Sequence, residues 1–192
     1  GTLGMMTQAN VRLINQKTHN RLIPVFLPDW DNLPELVNKL LPIEPESLEI
    51  FDEDTEMLGL RFMPQIAKKA GKSLVKFALQ FLPEAWIGIR MMEIPDLVVL
   101  IELAEESEEK LAKKSEEAIT ILEEFPDLYH REPLNDNQAE KYWIMRRESF
   151  NLLRNHVAGK QTAPFVEDFC IQPVDIPEFL PRAKELLESH GI

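Results

Sequence analysis

Arg146 is the residue whose type and position most favour a binding function. It lies on the apolar stripe of a helix predicted over about residues 138–155, and its companions on that stripe are Ala139, Trp143, Phe150 and Leu153. A charged guanidinium that faces a protein core is costly unless an anion pairs with it. Because arginine grips a carboxylate through two parallel hydrogen bonds, the sequence predicts that Arg146 binds a carboxylate.

The residues alone leave the source of that carboxylate open. One hypothesis is a structural ion pair within the chain, since Glu49, Glu102 or Asp168 could each supply the acid. The other hypothesis is the carboxylate of a bound ligand. Arg147 is one position along the helix, points away from the stripe, and is expected to have no part in either arrangement.

The opening segment, Gly1-Thr2-Leu3-Gly4-Met5-Met6-Thr7, is a second candidate site. Two glycines three residues apart permit positive φ angles and a close approach of the backbone to a ligand. An ordinary glycine turn that leads into a strand explains the same pattern, so both interpretations stay open.

The remaining chemistry-bearing residues do not form a recognisable site. The histidines His19, His130, His156 and His190 lie far apart without paired spacing, so no metal site is expected within the chain. The single cysteine, Cys170, excludes an internal disulfide and a cysteine-based zinc site, and its predicted strand position indicates a buried core residue. A net charge of −12 at pH 7 disfavours nucleic-acid binding, because a polyanion would be repelled.

The elements that must position these residues alternate along the 192-residue chain. Strands are predicted at 9–15, 21–27, 45–52, 97–103 and 165–171. Helices are predicted at 33–41, 57–81 with breaks near Pro64 and Gly71, 106–124, 138–155, and 176–187 ending at Gly191. Pro24 favours an edge position for the second strand, whereas the apolar run 97–103 is typical of an interior strand. Together these elements predict an α+β, ferredoxin-like sandwich in which helices cover one face of a mostly antiparallel sheet, with a helical insertion.

Large apolar residues between positions 62 and 92 are interspersed with the basic side chains Lys68, Lys69, Lys72, Lys76 and Arg90. The segment is typical of two packed helices with solvated lysines. A basic, amphipathic membrane contact is the less favoured alternative, because overall acidity opposes binding to anionic lipid. With no secretory signal and no apolar run of roughly 18 residues, the sequence predicts a soluble cytoplasmic protein.

Six segments carry a family resemblance: 1–7 (GTLGMMT), 45–52 (PESLEIFD), 100–102 (LIE), 143–146 (WIMR), 166–169 (VEDF) and 176–180 (IPEFL). In this order they resemble the FAD-linked oxidases of the vanillyl-alcohol-oxidase-type flavin fold. That family includes D-lactate dehydrogenases, glycolate oxidase and D-2-hydroxyglutarate dehydrogenase. The first segment resembles the glycine-rich loop near the end of the FAD-binding domain, and the fourth resembles the family's W-x-x-R helix. The resemblance extends over nearly the whole chain.

The resemblance implies a fragment of an FAD-dependent dehydrogenase or oxidase that acts on a small 2-hydroxy acid and passes hydride to flavin. Residues 1–18 would be the tail of the FAD-binding domain. Residues 19–192 would be a substrate-side cap domain, truncated at its C-terminus, whose FAD-binding domain belongs to the same parent chain. By the same resemblance the backbone of 1–7 lies against FAD and Arg146 binds the substrate carboxylate, while the fragment alone is expected to be inactive and without FAD. Val166 stands where the family has a lysine, so the choice of hydroxy acid stays open.

A free-standing ferredoxin-like domain for ligand sensing or protein interaction, without catalysis, is the alternative. A reading frame for a flavin domain directly upstream of Gly1 would favour the enzyme hypothesis. A natural chain that begins at Gly1 would favour the alternative.

Overall fold

An antiparallel sheet forms the centre of the fold. A computed structural model describes residues 4–69, 71–91, 95–156 and 170–191, and within these ranges the chain forms four strands. They are β1 (His19–Leu27), β2 (Ser47–Asp52), β3 (Leu97–Glu105) and β4 (Tyr129–His130). Their spatial order is β2-β3-β1-β4, and each neighbouring pair is antiparallel.

Helices connect the strands in a ferredoxin-like pattern. The described helices are α1 (Leu33–Leu40), α2 (Glu53–Arg61), α3 (Met63–Lys69), α4 (Leu74–Leu79), α5 (Leu82–Met91), α6 (Glu108–Leu122), α7 (Asp136–His156) and α8 (Ile176–Ser189). Helix α1 links β1 to β2 and α6 links β3 to β4, while β3 lies between β1 and β2, as in a split β-α-β unit. The predicted α+β, ferredoxin-like class is therefore confirmed, and α2–α5 form the helical insertion between β2 and β3.

Helices cover both faces of the sheet. Helices α1 and α6 bury their apolar stripes on one face through Leu33, Leu36, Leu40, Leu111, Ala118 and Leu122. The opposite face contributes Leu22, Phe26, Val98 and Leu100 to a second cluster with Ala139 and Tyr142 of α7, and α5 adds Ile87 and Met91 to it. The prediction of helices on one face was therefore incomplete, because α5 and α7 supply a further layer.

Strand β3 is interior and buried on both faces. It pairs with β1 on one side, where Leu27 is opposite Leu97, and with β2 on the other. Its alternate side chains enter opposite layers, so Val99 packs with α1 and α6 whereas Leu100 packs with α7. The interior position predicted for 97–103 is confirmed, since a strand with two buried faces requires an uninterrupted apolar run.

The edge position that Pro24 suggested for β1 is wrong, because β1 lies between β3 and β4. The Pro24 carbonyl accepts a hydrogen bond of 2.9 Å from the Arg131 backbone N–H, so the proline nitrogen also faces the β4 side. On that side pairing is brief: β4 has two residues, and Leu22 and Leu134 then exchange hydrogen bonds of 2.9 and 2.7 Å. Proline has no backbone N–H, and here the missing donor would point toward β4, where strand pairing is already interrupted. The interior strand therefore tolerates Pro24.

The strand predicted at 9–15 is also wrong. Residues 4–18 contain neither helix nor strand, and Leu13 and Ile14 are exposed. Alternation tells which face a strand would bury, but a strand also needs a neighbour to receive its backbone hydrogen bonds. Within the described structure, this segment pairs with no strand.

Most of the strand predicted at 165–171 lies outside the described residues. Cys170 and Ile171 are described, and neither is in a strand. Cys170 is exposed, so the prediction of a buried core thiol is wrong. Its burial depended on membership of a sheet, and this part of the chain instead leads into a short turn of 3₁₀ helix, Pro173–Asp175.

The insertion has the predicted helical character with shorter units. Helix α2 begins after Asp52, whose side chain accepts a hydrogen bond of 2.9 Å from the Thr55 backbone N–H. The chain breaks at Phe62, just before Pro64, and again at Gly71, where φ is 66°. The later glycine, Gly191, has φ of 72° at the end of α8, so the predicted helix end is confirmed.

Candidate functional site

Helix α7 carries the predicted binding residue across the sheet. Ala139 and Tyr142, early in the helix, pack on residues of β1 such as Leu22 and Phe26. Further along, Ile144 packs against the insertion in a third cluster, with Phe62, Ile66, Ala67 and Phe77. The helix is therefore held on two sides, by the sheet and by α3 and α4.

Arg146 lies where α7 reaches the sheet edge. Its guanidinium contacts β2, one of the two edge strands of the described sheet, through an ion pair with Glu49. The side chain is 51% exposed, so the prediction that Arg146 faces the core is wrong. Ala139 and Trp143 of the predicted stripe do pack on the sheet, but the Arg146 side chain reaches only an edge strand, β2. Arg147 is exposed as well.

Glu49 is the internal acid that pairs with Arg146. The Arg146 Nε–H donates to Glu49 Oε2, and the Glu49 side chain is 26% exposed. Of the other two acids considered, Glu102 accepts a hydrogen bond of 2.8 Å from the Ser47 hydroxyl, and Asp168 lies outside the described residues. An internal ion pair therefore exists, as one of the two hypotheses expected.

The same guanidinium retains the chemistry for a second anion. An arginine side chain carries five N–H donors, and the Nε contact with Glu49 uses one of them. The two terminal nitrogens form a separate edge that matches the two oxygens of a carboxylate. Because half of the side chain is exposed, a small acid can reach it from solvent or from a neighbouring domain.

The opening segment shows no cofactor cradle in its described part. Residues 1–3 lie outside the described residues, and 4–7 are exposed and without helix or strand. A Cβ added to Gly4 would meet no atom within 4 Å, so nothing packs closely against this backbone. These residues do not by themselves fit a flavin, and the predicted contact of 1–7 with FAD stays a prediction.

A buried charge network that the sequence analysis missed joins α5 to α7. Lys141 of α7 donates to Glu84 Oε2 of α5 at 2.8 Å and to the Gln80 carbonyl. Arg131 Nη1 donates to Glu84 Oε1 at 2.6 Å, and the Tyr142 hydroxyl donates to the same oxygen. The Lys141 side chain is 5% exposed and that of Glu84 12% exposed, so the pair is almost fully removed from water.

The network shifts the pKa of each member. Burial opposes ionisation of Glu84, but the hydrogen bonds from Lys141, Tyr142 and Arg131 outweigh it, and its pKa lies below the usual range. Burial lowers the pKa of the Lys141 ammonium, and the attraction of Glu84 only partly offsets this. Burial and the nearby Glu84 carboxylate both raise the pKa of Tyr142, so its hydroxyl remains a donor.

The sequence held one signal for this network. Lys141, Ile144 and Glu148 follow one another at helical spacing and define a second face of α7, next to the stripe that contains Arg146. Ile144 is buried on that face and Glu148 pairs with Lys69 of α3 at 2.7 Å, so the face meets the insertion. A lysine on such a face predicts a buried acid, but the sequence does not tell which one.

Among the side chains that the structure describes, no three of the His, Cys, Asp and Glu type come together as a possible metal site. None of the helices in the described ranges has the length and apolarity to cross a bilayer. Helix α5 does expose Trp86 and Ile89 on the side opposite the sheet, and the membrane contact considered for this segment stays a prediction.

Comparisons with known proteins place these features in context. The sequence model of the family described as FAD linked oxidases, C-terminal domain, matches residues 16–192. D-2-hydroxyglutarate dehydrogenase of Escherichia coli (strain K12) is 22% identical over 202 residues, which cover 100% of this chain and 18% of that protein. D-2-hydroxyglutarate dehydrogenase of Haemophilus influenzae (strain ATCC 51907 / DSM 11121 / KW20 / Rd) is 30% identical over 53 residues, covering 28% of this chain and 5% of that protein. The chain thus spans less than a fifth of the length of these curated relatives.

Proposed function

Because this chain belongs to the family of FAD-linked oxidase C-terminal domains, we propose that it is the substrate-side domain of an FAD-dependent enzyme that oxidises a small 2-hydroxy acid. The family implies FAD in the intact parent, where the flavin supplies the redox chemistry. The contribution of this chain is to bind and orient the acid. We place the domain at 19–192, from the first residue of β1 onwards, and assign 1–18 to the end of the FAD-binding domain.

The observation that carries this proposal is the half-exposed guanidinium of Arg146 at the sheet edge. A 2-hydroxy acid presents a carboxylate next to the carbon that is oxidised. An arginine that grips the carboxylate through two hydrogen bonds fixes the orientation of that carbon. Arg146 has the exposure this task requires and is held at its Nε by Glu49.

D-2-hydroxyglutarate is the first substrate to test, since it appears in the names of both relatives. It carries a second carboxylate, which calls for a second cationic contact. Val166 stands at the position where the family resemblance places a lysine, and an apolar side chain cannot make that contact. A monocarboxylic 2-hydroxy acid such as D-lactate therefore belongs in the same assay.

The experiment is steady-state kinetics of the full-length parent enzyme with Arg146→Ala, Arg146→Lys and Arg147→Ala. A charge-assisted carboxylate contact is worth about 1.5–3 kcal/mol, so Arg146→Ala should lower kcat/KM about ten- to hundredfold. Arg146→Lys should recover part of the loss, because an ammonium has no planar fork. Arg147→Ala is the matched control and should change little.

Two results would contradict the proposal. One is an unchanged kcat/KM in Arg146→Ala for every 2-hydroxy acid that the parent enzyme oxidises. The other is an equal loss in Arg146→Ala and Arg147→Ala, which would point to a general effect of surface charge. A drop in melting temperature without a change in kcat/KM would leave Arg146 as a structural partner of Glu49 alone.

A further inference from the structure

We propose that Glu49 is the positioning residue for Arg146: it holds the Nε edge of the guanidinium and thereby presents the terminal nitrogens to the substrate carboxylate. The inference rests on the proposed role of Arg146 in binding substrate. Without this inference, Glu49 would be regarded only as a structural ion-pair partner of Arg146.

Glu49 is well placed to serve as a fixed support. It lies within β2, with Leu100 of β3 as its register partner. Phe51 lies on the same face of the strand two residues on and packs into the cluster beneath α7. The backbone that carries Glu49 is therefore anchored in the sheet, whereas the long Arg146 side chain is half exposed.

The point of contact decides what remains available to a ligand. A guanidinium offers two edges for paired hydrogen bonds, one with Nε and a terminal nitrogen and one with both terminal nitrogens. Glu49 takes the Nε–H, on the first edge. A substrate carboxylate can therefore bind the second edge without displacing Glu49. Holding the side chain before the substrate arrives also reduces the entropy lost on binding.

Glu49 has an opposing electrostatic effect. Its negative charge lies on the same arginine that receives the substrate, so it repels the incoming carboxylate. Orientation needs only an acceptor oxygen opposite Nε, and the side-chain amide of glutamine supplies one without charge. The proposal therefore predicts that Glu49→Gln functions well and that variants without an acceptor do not.

The test measures kcat/KM of the full-length parent enzyme for D-2-hydroxyglutarate and D-lactate. Glu49→Ala should lower kcat/KM about tenfold for whichever acid the enzyme oxidises, since a misplaced binding group costs orientation. Glu49→Met restores the volume without an oxygen acceptor and should lose a similar factor. Glu49→Gln should stay within about threefold of the wild type. Glu148→Ala removes a neighbouring acid of α7 that pairs with Lys69 instead, and should change little.

Thermal unfolding of each variant checks that it is folded at the assay temperature. Equal losses in Glu49→Gln and Glu49→Ala would overturn the proposal, because charge rather than the acceptor would then matter. Unchanged kcat/KM in all Glu49 variants, or tighter substrate binding in Glu49→Ala, would also overturn it.

The double variant Arg146→Ala/Glu49→Ala separates this inference from the proposed function. If Glu49 acts through Arg146, the double variant should be no worse than Arg146→Ala alone. If Arg146→Ala has no effect by itself, the proposed function fails. If Arg146→Ala is impaired while the Glu49 variants match the wild type, the proposed function stands and the positioning role fails.

Discussion

Substitution of Glu84 by glutamine should destabilise the chain far more than the loss of an ordinary surface ion pair. Glu84 is the single carboxylate that accepts from Lys141, Arg131 and Tyr142 within the network. Without it the Lys141 ammonium, 5% exposed, keeps the Gln80 carbonyl and the faces of Phe81 and Tyr142 but has no counter-ion in the network. Breaking a buried pair in this way costs about 3–5 kcal/mol.

The chemistry of lysine sets an upper limit to the part of this cost that comes from Lys141. Lys141 can always escape by losing its proton, at about 1.4 kcal/mol for each pH unit below its usual pKa of 10.5. At pH 7 that limit is about 5 kcal/mol, and at pH 9 it is about 2 kcal/mol. We therefore expect Glu84→Gln to lower the free energy of unfolding by about 3–5 kcal/mol at pH 7, and by less as the pH rises.

At acid pH the difference in stability between the wild type and Glu84→Gln also becomes smaller, this time as the pH falls. The pKa of Glu84 in the folded chain lies below its usual value of 4.5, so the unfolded chain binds more protons between the two values. The stability contributed by Glu84 is fully present above its usual pKa of 4.5 and is lost as the pH falls through its lower pKa in the folded chain. Wild type and Glu84→Gln should therefore approach each other in acid.

Urea unfolding followed by circular dichroism at several pH values measures these differences. Glu148→Gln is the matched control: its partner Lys69 is 45% exposed, so it should cost about 1 kcal/mol or less. Glu84→Gln/Lys141→Met removes both charges and should recover much of the loss. A cost for Glu84→Gln no larger than that of Glu148→Gln at pH 7, or one that grows between pH 7 and pH 9, would refute the reasoning.

Two further predictions concern the cofactor and the core. The isolated 192-residue chain should purify without flavin colour, because residues 4–7 are exposed and form no cradle; stoichiometric flavin in the purified protein would contradict this. Leu100→Ala should lower the free energy of unfolding by about 2–5 kcal/mol, because Leu100 is fully buried between β3 and α7, whereas Ile50→Ala at the exposed strand edge should cost much less. Equal costs of these two variants in urea unfolding would show that β3 is not the core strand.

The sequence was most informative where one local pattern determined both structure and burial. The run from Leu97 to Leu103 is almost entirely apolar, with no alternating polar residues for an exposed face. This pattern predicted an interior strand, and β3 is one. Pattern alone failed at 9–15, which alternates correctly but has no strand beside it in the described structure. Pairing depends on distant parts of the chain, which periodicity does not contain.

The charge network marks a different limit of sequence reasoning. Glu84 and Lys141 are 57 positions apart, and their contact exists only because the insertion folds back onto α7. Lys141 can be assigned to a helix face from its spacing, but the acid opposite it depends on where α5 docks. Arg146 was easier to interpret, since the three acids considered for it included its partner Glu49, on the edge strand β2.

The exposure of Arg146 explains why a charged residue can occupy an apolar stripe. Helical phase gives the direction of a side chain around the axis, whereas burial also depends on how far the neighbouring sheet extends along that axis. At Ala139 the sheet lies beneath α7, and at Arg146 the edge strand is reached. A guanidinium at this rim can be held by a strand residue and still meet a ligand. A charge that continues an apolar stripe therefore indicates the end of the packed layer, which is where a binding group can be both fixed and accessible.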